Sequence, residues 1–169
     1  MPATDPAGNL SDLDLLRQAG EQAGRIAMGY FGKQPEVWMK AGNSPVTEAD
    51  YAVDRYLRET LLAARPDYGW LSEETADAPH RLSARRTFVV DPIDGTRGFM
   101  EGRSAWCVSL AVVEDGHPVA GVLECPAQRE TYWAVPGGGA YRNGAAIAVQ
   151  ALPERPRVAG PKPMFDLLP

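Results

Sequence analysis

The apolar residues of this chain change their spacing near residue 65, and that change limits the fold to helices first and strands after. Leu13, Leu16, Ala19, Ala23, Ile26, Ala27, Tyr30 and Phe31 recur every three or four residues, which is the stripe of an amphipathic helix. Ser11 stands before it as a cap, Asp14 supports its first turn, and Gly32 marks its end. Gly20, Gly24 and Gly29 interrupt the stripe, and either weaken the helix or let it pack closely. Residues 37–40 read as a short strand, followed by a polar turn at Gly42, Asn43, Ser44 and Pro45. Thr47 caps a second helix whose buried face is Ala49, Ala52, Val53, Tyr56, Leu57, Thr60 and Leu61. Beyond it, residues 68–71, 88–90, 106–113, 118–124 and 131–135 read as strands, the last three as an antiparallel meander. Tyr141 and residues 147–149 add short strands around an Asn143-Gly144 turn. The expected class is α+β, with two N-terminal helices packed on a mostly antiparallel sheet.

Asp115-Gly116 is a strong two-residue hairpin signal. Counting back from it sets Cys107 opposite Glu124 and Cys125 opposite Trp106. Neighbouring strand positions point to opposite faces, so the two thiols are not expected to meet and read as buried free cysteines. Composition bears on partners. Seventeen basic residues against 22 acidic ones leave a charge of −5, without the basic stripe that a nucleic-acid polymer requires. The first twenty residues carry Asp5, Asp12, Asp14 and Arg17 and no apolar signal core. The longest mostly apolar stretch, residues 105–113, is too short to cross a bilayer. The expected location is cytoplasmic, with no membrane partner. The Asn9-Leu10-Ser11 triplet fits a glycosylation acceptor, and without a signal peptide it reads as chance.

The chemistry concentrates in Asp91-Pro92-Ile93-Asp94-Gly95-Thr96, which follows the buried run Phe88-Val89-Val90. Pro92 cannot extend a ladder, so the chain is expected to turn there and project both acids from one tip. Two ionised carboxylates held close repel unless a cation sits between them. Magnesium suits such hard oxygen donors and keeps waters for a phosphate substrate. The amides of Gly95 and Thr96 then open a short helical turn through Phe99, a cradle for phosphate. An arbitrary Asp-x-x-Asp more often caps a helix; the strand before it and the Gly-Thr after it favour the metal reading. Glu73-Glu74 after Trp70-Leu71 is by itself a solvated loop, and beside an Asp pair it completes a metal site. Asp50 is as well explained by a capping box with Thr47 as by a catalytic role. Haloacid-dehalogenase-type phosphatases place one residue between their two aspartates, and the two found here exclude that arrangement.

Taken together, Val46-Thr47-Glu48-Ala49-Asp50, Ser72-Glu73-Glu74, Asp91-Pro92-Ile93-Asp94-Gly95-Thr96, Trp106-Cys107-Val108-Ser109-Leu110-Ala111 and the segment from Gly137 to Gly144 resemble the inositol monophosphatase family over roughly residues 11–169. The resemblance implies the first half of a layered αβαβα fold. It also implies magnesium-dependent hydrolysis of a small phosphorylated substrate by metal-activated water. On matching positions, Glu73, Asp91 and the Ile93 carbonyl would hold one Mg2+. Asp91 and Asp94 would begin a second site, and Glu73 would face a third. Thr96, supported by Asp50, would orient the attacking water, the Gly95 and Thr96 amides would hold phosphate, and Glu74 and Lys40 would support the ligands from behind.

Inositol monophosphate is the default substrate. The Thr96-Arg97-Gly98-Phe99 continuation looks more like branches acting on 3′-phosphoadenosine 5′-phosphate or histidinol phosphate, where Arg97 either meets a second phosphate or serves an ion pair. The family continues into an α/β half that supplies a further aspartate from a Trp-Asp-x-Ala-like motif. Here a disordered lead-in over residues 1–9 and a metal-binding α+β domain over 10–150 are expected. A Pro-rich segment over 151–169 would lead into that half, and Asp166 lacks the motif. The alternative function is therefore a truncated, inactive fragment that binds metal weakly or serves as an interaction module. Complete members are expected to be homodimers. A lone first half would leave a sheet edge and face exposed, which favours self-association.

Overall fold

The computed structural model describes residues 10–33, 35–40 and 45–151. The expected lead-in, the turn residues Gly42, Asn43 and Ser44, and the Pro-rich segment with Asp166 lie outside the described residues. Helix α1 spans Asp12–Tyr30, and Ser11 Oγ accepts from the Asp14 amide at 3.1 Å. Strands β1 (Val37–Met39) and β2 (Pro45–Thr47) pair antiparallel. Helix α2 spans Glu48–Ala64 and opens on a capping box in which the Thr47 amide donates to Asp50 Oδ2 at 2.8 Å. Then come β3 (Gly69–Ser72), β4 (Arg86–Asp94), the short helix α3 (Thr96–Met100), β5 (Cys107–Glu114) and β6 (His117–Cys125). The chain continues through β7 (Glu130–Val135), β8 (Gly139–Arg142) and β9 (Ala145–Ile147). Two 3₁₀ turns, Pro79–Ser83 and Pro126–Gln128, carry no periodicity and were not expected.

Strands β3 to β9 form one sheet in sequence order. Every neighbouring pair is antiparallel except β3 and β4, which run parallel. The two long helices cover one face. Leu16, Ala19, Ala23 and Ala27 of α1 and Ala49, Val53, Leu57 and Leu61 of α2 meet Phe88, Val90, Val108, Leu110, Val112 and Val122, all buried. Small residues on α1 permit close approach. A Cβ at Gly24 would lie 3.0 Å from Glu124 Cγ, and one at Gly20 would lie 3.4 Å from Leu110. These two glycines are therefore packing positions, whereas Gly29 faces open space.

Two departures from expectation have one cause, a bulge next to proline. The Asp115-Gly116 turn forms as foreseen, with φ of 50° and 78°. Yet Val113 faces Pro118 while Val112 faces Ala120, so Val119 is an extra residue on β6. Pro118 has no N–H to give the ladder. The slip sets Val108 opposite Glu124, and one step further Cys107 faces Cys125. The two thiols interact directly, each shifting the other's ionisation. The expectation that they do not meet was wrong, because a one-residue slip reverses every facing relation. Both are buried and free, as expected. Likewise the chain does not turn at Pro92. Asp91 faces Ser109 and Asp94 faces Cys107, so three steps on β4 match two on β5, and the strand absorbs Pro92 as a bulge. The turn comes at Gly95, whose φ is 92°.

Phe88 is fully buried between the helices and β3. Phe88→Ala is expected to cost about 3–5 kcal/mol of stability, read as a lowered urea midpoint; an unchanged midpoint would contradict this core.

Candidate functional site

Because β3 and β4 are parallel, their C-terminal ends lie side by side. Ser72 pairs with Val90, and the Glu73 amide donates to Val90 O at 3.2 Å. That extra step carries Glu73 next to Asp91, and their carboxyls share a hydrogen bond. Asp94 lies three residues on, past the bulge, with Cys107 Sγ 4.0 Å from its Oδ2. From the other side Lys40 Nζ reaches Glu73 Oε1 at 2.9 Å and Glu74 Oε1 at 2.8 Å. The two contacts differ in setting. The Glu74 side chain is 2% exposed and the Glu73 side chain 48%, so the Lys40–Glu73 pair is screened and readily exchanged.

The proton balance of the cluster reflects this crowding. Burial, the neighbouring Glu73 and the Asp94 charge push the Asp91 carboxyl up to about 7. The hydrogen bond from Lys40 holds Glu73 below its ordinary value. Burial raises Glu74, against the pull of Lys40. Burial works against the Lys40 ammonium, but hydrogen bonds to Glu74 and Glu73 outweigh it and keep that ammonium protonated beyond the usual lysine range.

Asp50 is 1% exposed at the start of α2, and burial raises its carboxyl. Its Oδ2 accepts from the Thr47 amide and from Thr47 Oγ1 at 2.6 Å. The other oxygen, Oδ1, lies 3.4 Å from Thr96 Oγ1. The Thr96 hydroxyl donates at 2.9 Å to the Ile93 carbonyl. Capping and positioning are thus two uses of one carboxylate. Gly95 precedes α3 in a left-handed conformation, and a Cβ there would stand 3.0 Å from Ala105 O. Phe99 N returns to Gly95 O at 3.0 Å, while the first amides of the turn have no partner within it.

Sequence reasoning missed Asp54. It lies one turn after Asp50 on α2, is buried, and accepts from Ser72 Oγ and from Thr75 Oγ1 at 2.6 Å. Ser72 Oγ in turn accepts from the Glu74 amide at 3.2 Å. Asp54 therefore ties the Glu73-Glu74 loop to the helix. The available signal was an acid at i+4 from Asp50, beside the apolar Val53 and Leu57.

Among the described residues, no three Asp, Glu, His or Cys side chains converge into a formed metal cage. The donors nevertheless suit a hard divalent cation, since they are carboxylate oxygens and a backbone carbonyl. Three features mark the place as short of positive charge. Glu74 Oε2 is buried without a hydrogen-bond partner, the Lys40 ammonium stands between two glutamates, and Asp91 retains its proton to unusually high pH.

Comparisons with known proteins bear on the family. The sequence profile described as the inositol monophosphatase family matches residues 10–161. A histidinol-phosphatase of Chlorobaculum parvum is 37% identical over 144 residues, covering 85% of this chain and 55% of that protein. A 3′(2′),5′-bisphosphate nucleotidase CysQ of Aggregatibacter actinomycetemcomitans is 37% identical over 128 residues, covering 75% of this chain and 48% of that protein. The crystal structure of the extragenic suppressor protein suhB from Bartonella henselae superposes with a TM-score of 0.77 at 32% identity, covering 82% of this chain and 54% of that one. The chain spans about half the length of the curated relatives it matches.

The Asp91 carboxyl makes a test in pH. Its folded value, about 7, lies above its ordinary 3.8, so the folded state holds a proton that the unfolded chain has already released. Stability from this group is full below pH ~4 and is lost as pH rises to about 7. Asp50 and Glu74, also raised, act in the same sense. Glu73, lowered, adds stability above its ordinary 4.5 that is lost as pH falls. Thermal melts of metal-free protein between pH 5 and 7 (a window read from these values) are expected to show a falling midpoint. Asp91→Asn should flatten most of that slope; a slope unchanged by the substitution would refute the assignment.

Proposed function

The chain belongs to the inositol monophosphatase family, and on that footing we propose that it provides the ligands and water-positioning groups for magnesium-dependent hydrolysis of a small phosphate monoester. The observation that supports this reading most is the Glu73–Asp91 carboxyl pair at the ends of two parallel strands, with Lys40 as its counter-charge. Glu73, Asp91 and the Ile93 carbonyl would hold one Mg2+; Asp91 and Asp94 would begin a second site; Glu73 would face a third. When bound, the ions supply a water of lowered pKa and positive charge for the leaving oxygen.

The chain's own groups do the rest. Lys40 stays on the buried Glu74 and yields Glu73. Thr96, whose proton is engaged by Ile93 O, offers a lone pair to the hydrogen of a water. Behind it Asp50, fixed by Thr47 and raised by burial, lies 3.4 Å from Thr96 Oγ1 and can take the Thr96 proton when that hydroxyl turns from Ile93 O as the water gives up its own. The Gly95 and Thr96 amides receive the phosphate oxygens. The reading includes a homodimer in a protein of full family length. As substrate, inositol monophosphate is the family default. The Thr96-Arg97-Gly98-Phe99 segment, with the histidinol-phosphatase and nucleotidase similarities, leans the reading toward 3′-phosphoadenosine 5′-phosphate or histidinol phosphate.

The test is phosphate release by the 169-residue chain, with and without Mg2+, from inositol 1-phosphate, 3′-phosphoadenosine 5′-phosphate and histidinol phosphate. Magnesium-dependent release is expected, abolished by Asp94→Asn, with the Mg2+ requirement raised roughly tenfold or more by Glu73→Gln. Folded protein that releases no phosphate would overturn activity of this chain and leave a metal-binding module. Full activity of either variant at low Mg2+ would overturn the ligand assignment.

A further inference from the structure

One row of side chains runs across four strands from the proposed metal site. Asp94 on β4 faces Cys107 on β5, the bulge at Val119 sets Cys107 against Cys125 on β6, and Cys125 faces Glu130 on β7. Cross-strand partners in an antiparallel pair lie ~4.5–5.5 Å apart at Cα, inside the ~4.4–6.8 Å span that a disulfide bridges. Their thiols already interact with each other, and the Cys107 S–H points to Asp94 Oδ2 with Sγ at 4.0 Å. Both cysteines are free and sit at the ends of their strands, Cys107 opening β5 and Cys125 closing β6. A strand terminus moves more easily than its centre, so the small shift needed to close the bond is available.

We propose that Cys107 and Cys125 form a reversible oxidation site: hydrogen peroxide converts the facing thiols to a cross-strand disulfide that withdraws the Cys107 S–H from Asp94 and weakens the hold of that carboxylate on a cation. The thiolate of one cysteine attacks a peroxide oxygen and the O–O bond breaks, leaving a sulfenic acid and releasing the other oxygen as water once protonated. The second sulfur then attacks the sulfenic sulfur. The S–S bond forms, the S–O bond breaks, and that oxygen leaves as a second water. Two thiols lose two electrons and two hydrogens, and the peroxide gains them. A dithiol reductant reverses the step by exchange. Without that S–H donor Asp94 loses an outer hydrogen-bond partner, and such partners govern metal affinity. The link to Asp94 rests on the metal reading given above; disulfide formation does not.

The test treats the full chain with hydrogen peroxide and then measures intact mass and Mn2+ affinity, the latter from the free-ion electron paramagnetic resonance signal. The expected result is loss of two hydrogens, a peptide linking Cys107 to Cys125, and Mn2+ binding weakened on the order of tenfold, all restored by dithiothreitol. Cys125→Ser should show no linked peptide and no peroxide-induced change in affinity. No linked peptide in the parent chain overturns the proposal. A disulfide that leaves Mn2+ affinity unchanged overturns its link to Asp94. Reduced protein that binds no Mn2+ refutes the metal reading instead, and the thiol pair then stands or falls on the linked peptide.

Discussion

The parallel pairing of β3 with β4 is the constraint on which this structure turns. It places the residues at and just past two strand ends at the same edge, Glu73 after β3 beside Asp91 in β4, and both are acids. Two unit charges about 4 Å apart repel by about 4 kcal/mol at an effective dielectric of ~20, a large fraction of the ~5–15 kcal/mol that stabilises a domain. The chain tolerates the crowding in two ways. Asp91 shares a proton with Glu73, and Lys40 extends an ammonium between Glu73 and Glu74. Both are what a divalent cation would displace, and neither is deeply fixed, since Glu73 is half exposed.

Helix α2 turns that crowded edge into a defined site. One buried face carries Val53, Leu57 and Leu61 into the core and, at its N-terminal end, Asp50 and Asp54 toward the strand ends. Asp50 reaches the Thr96 hydroxyl, and Asp54 holds the Glu73-Glu74 loop through Ser72 and Thr75. Packing of the apolar stripe thereby sets the position of two polar groups, and stability and site geometry are coupled through one helix. The small residues of α1 serve the same end by letting the sheet lie close beneath it.

What could be read in the sequence was local. Ser11 and Thr47 announce their helices because capping bonds span three residues. The Asp115-Gly116 turn is equally short-ranged. The acids of the site were legible as types in a spaced motif. That Glu73 and Asp91 come together was legible through the family resemblance and not from periodicity, because their contact depends on a parallel register that alternation of apolar residues does not encode. Nor does alternation encode the two bulges. Pro92 and Pro118 each signal an interrupted ladder, but whether the chain turns or bulges is decided by the neighbouring strand. That one ambiguity moved the cysteines from separate faces to a facing pair. Asp54 was obscured for a different reason: an acid on a helix is ordinary until the loop it holds is seen.

The most direct measurement of the central claim is anomalous diffraction from crystals of this chain soaked in Mn2+. The account predicts a peak within coordination distance of Glu73 and Asp91, with the Lys40 ammonium withdrawn from Glu73. A well-ordered site with no peak there, and Lys40 still bridging the two glutamates, would contradict it.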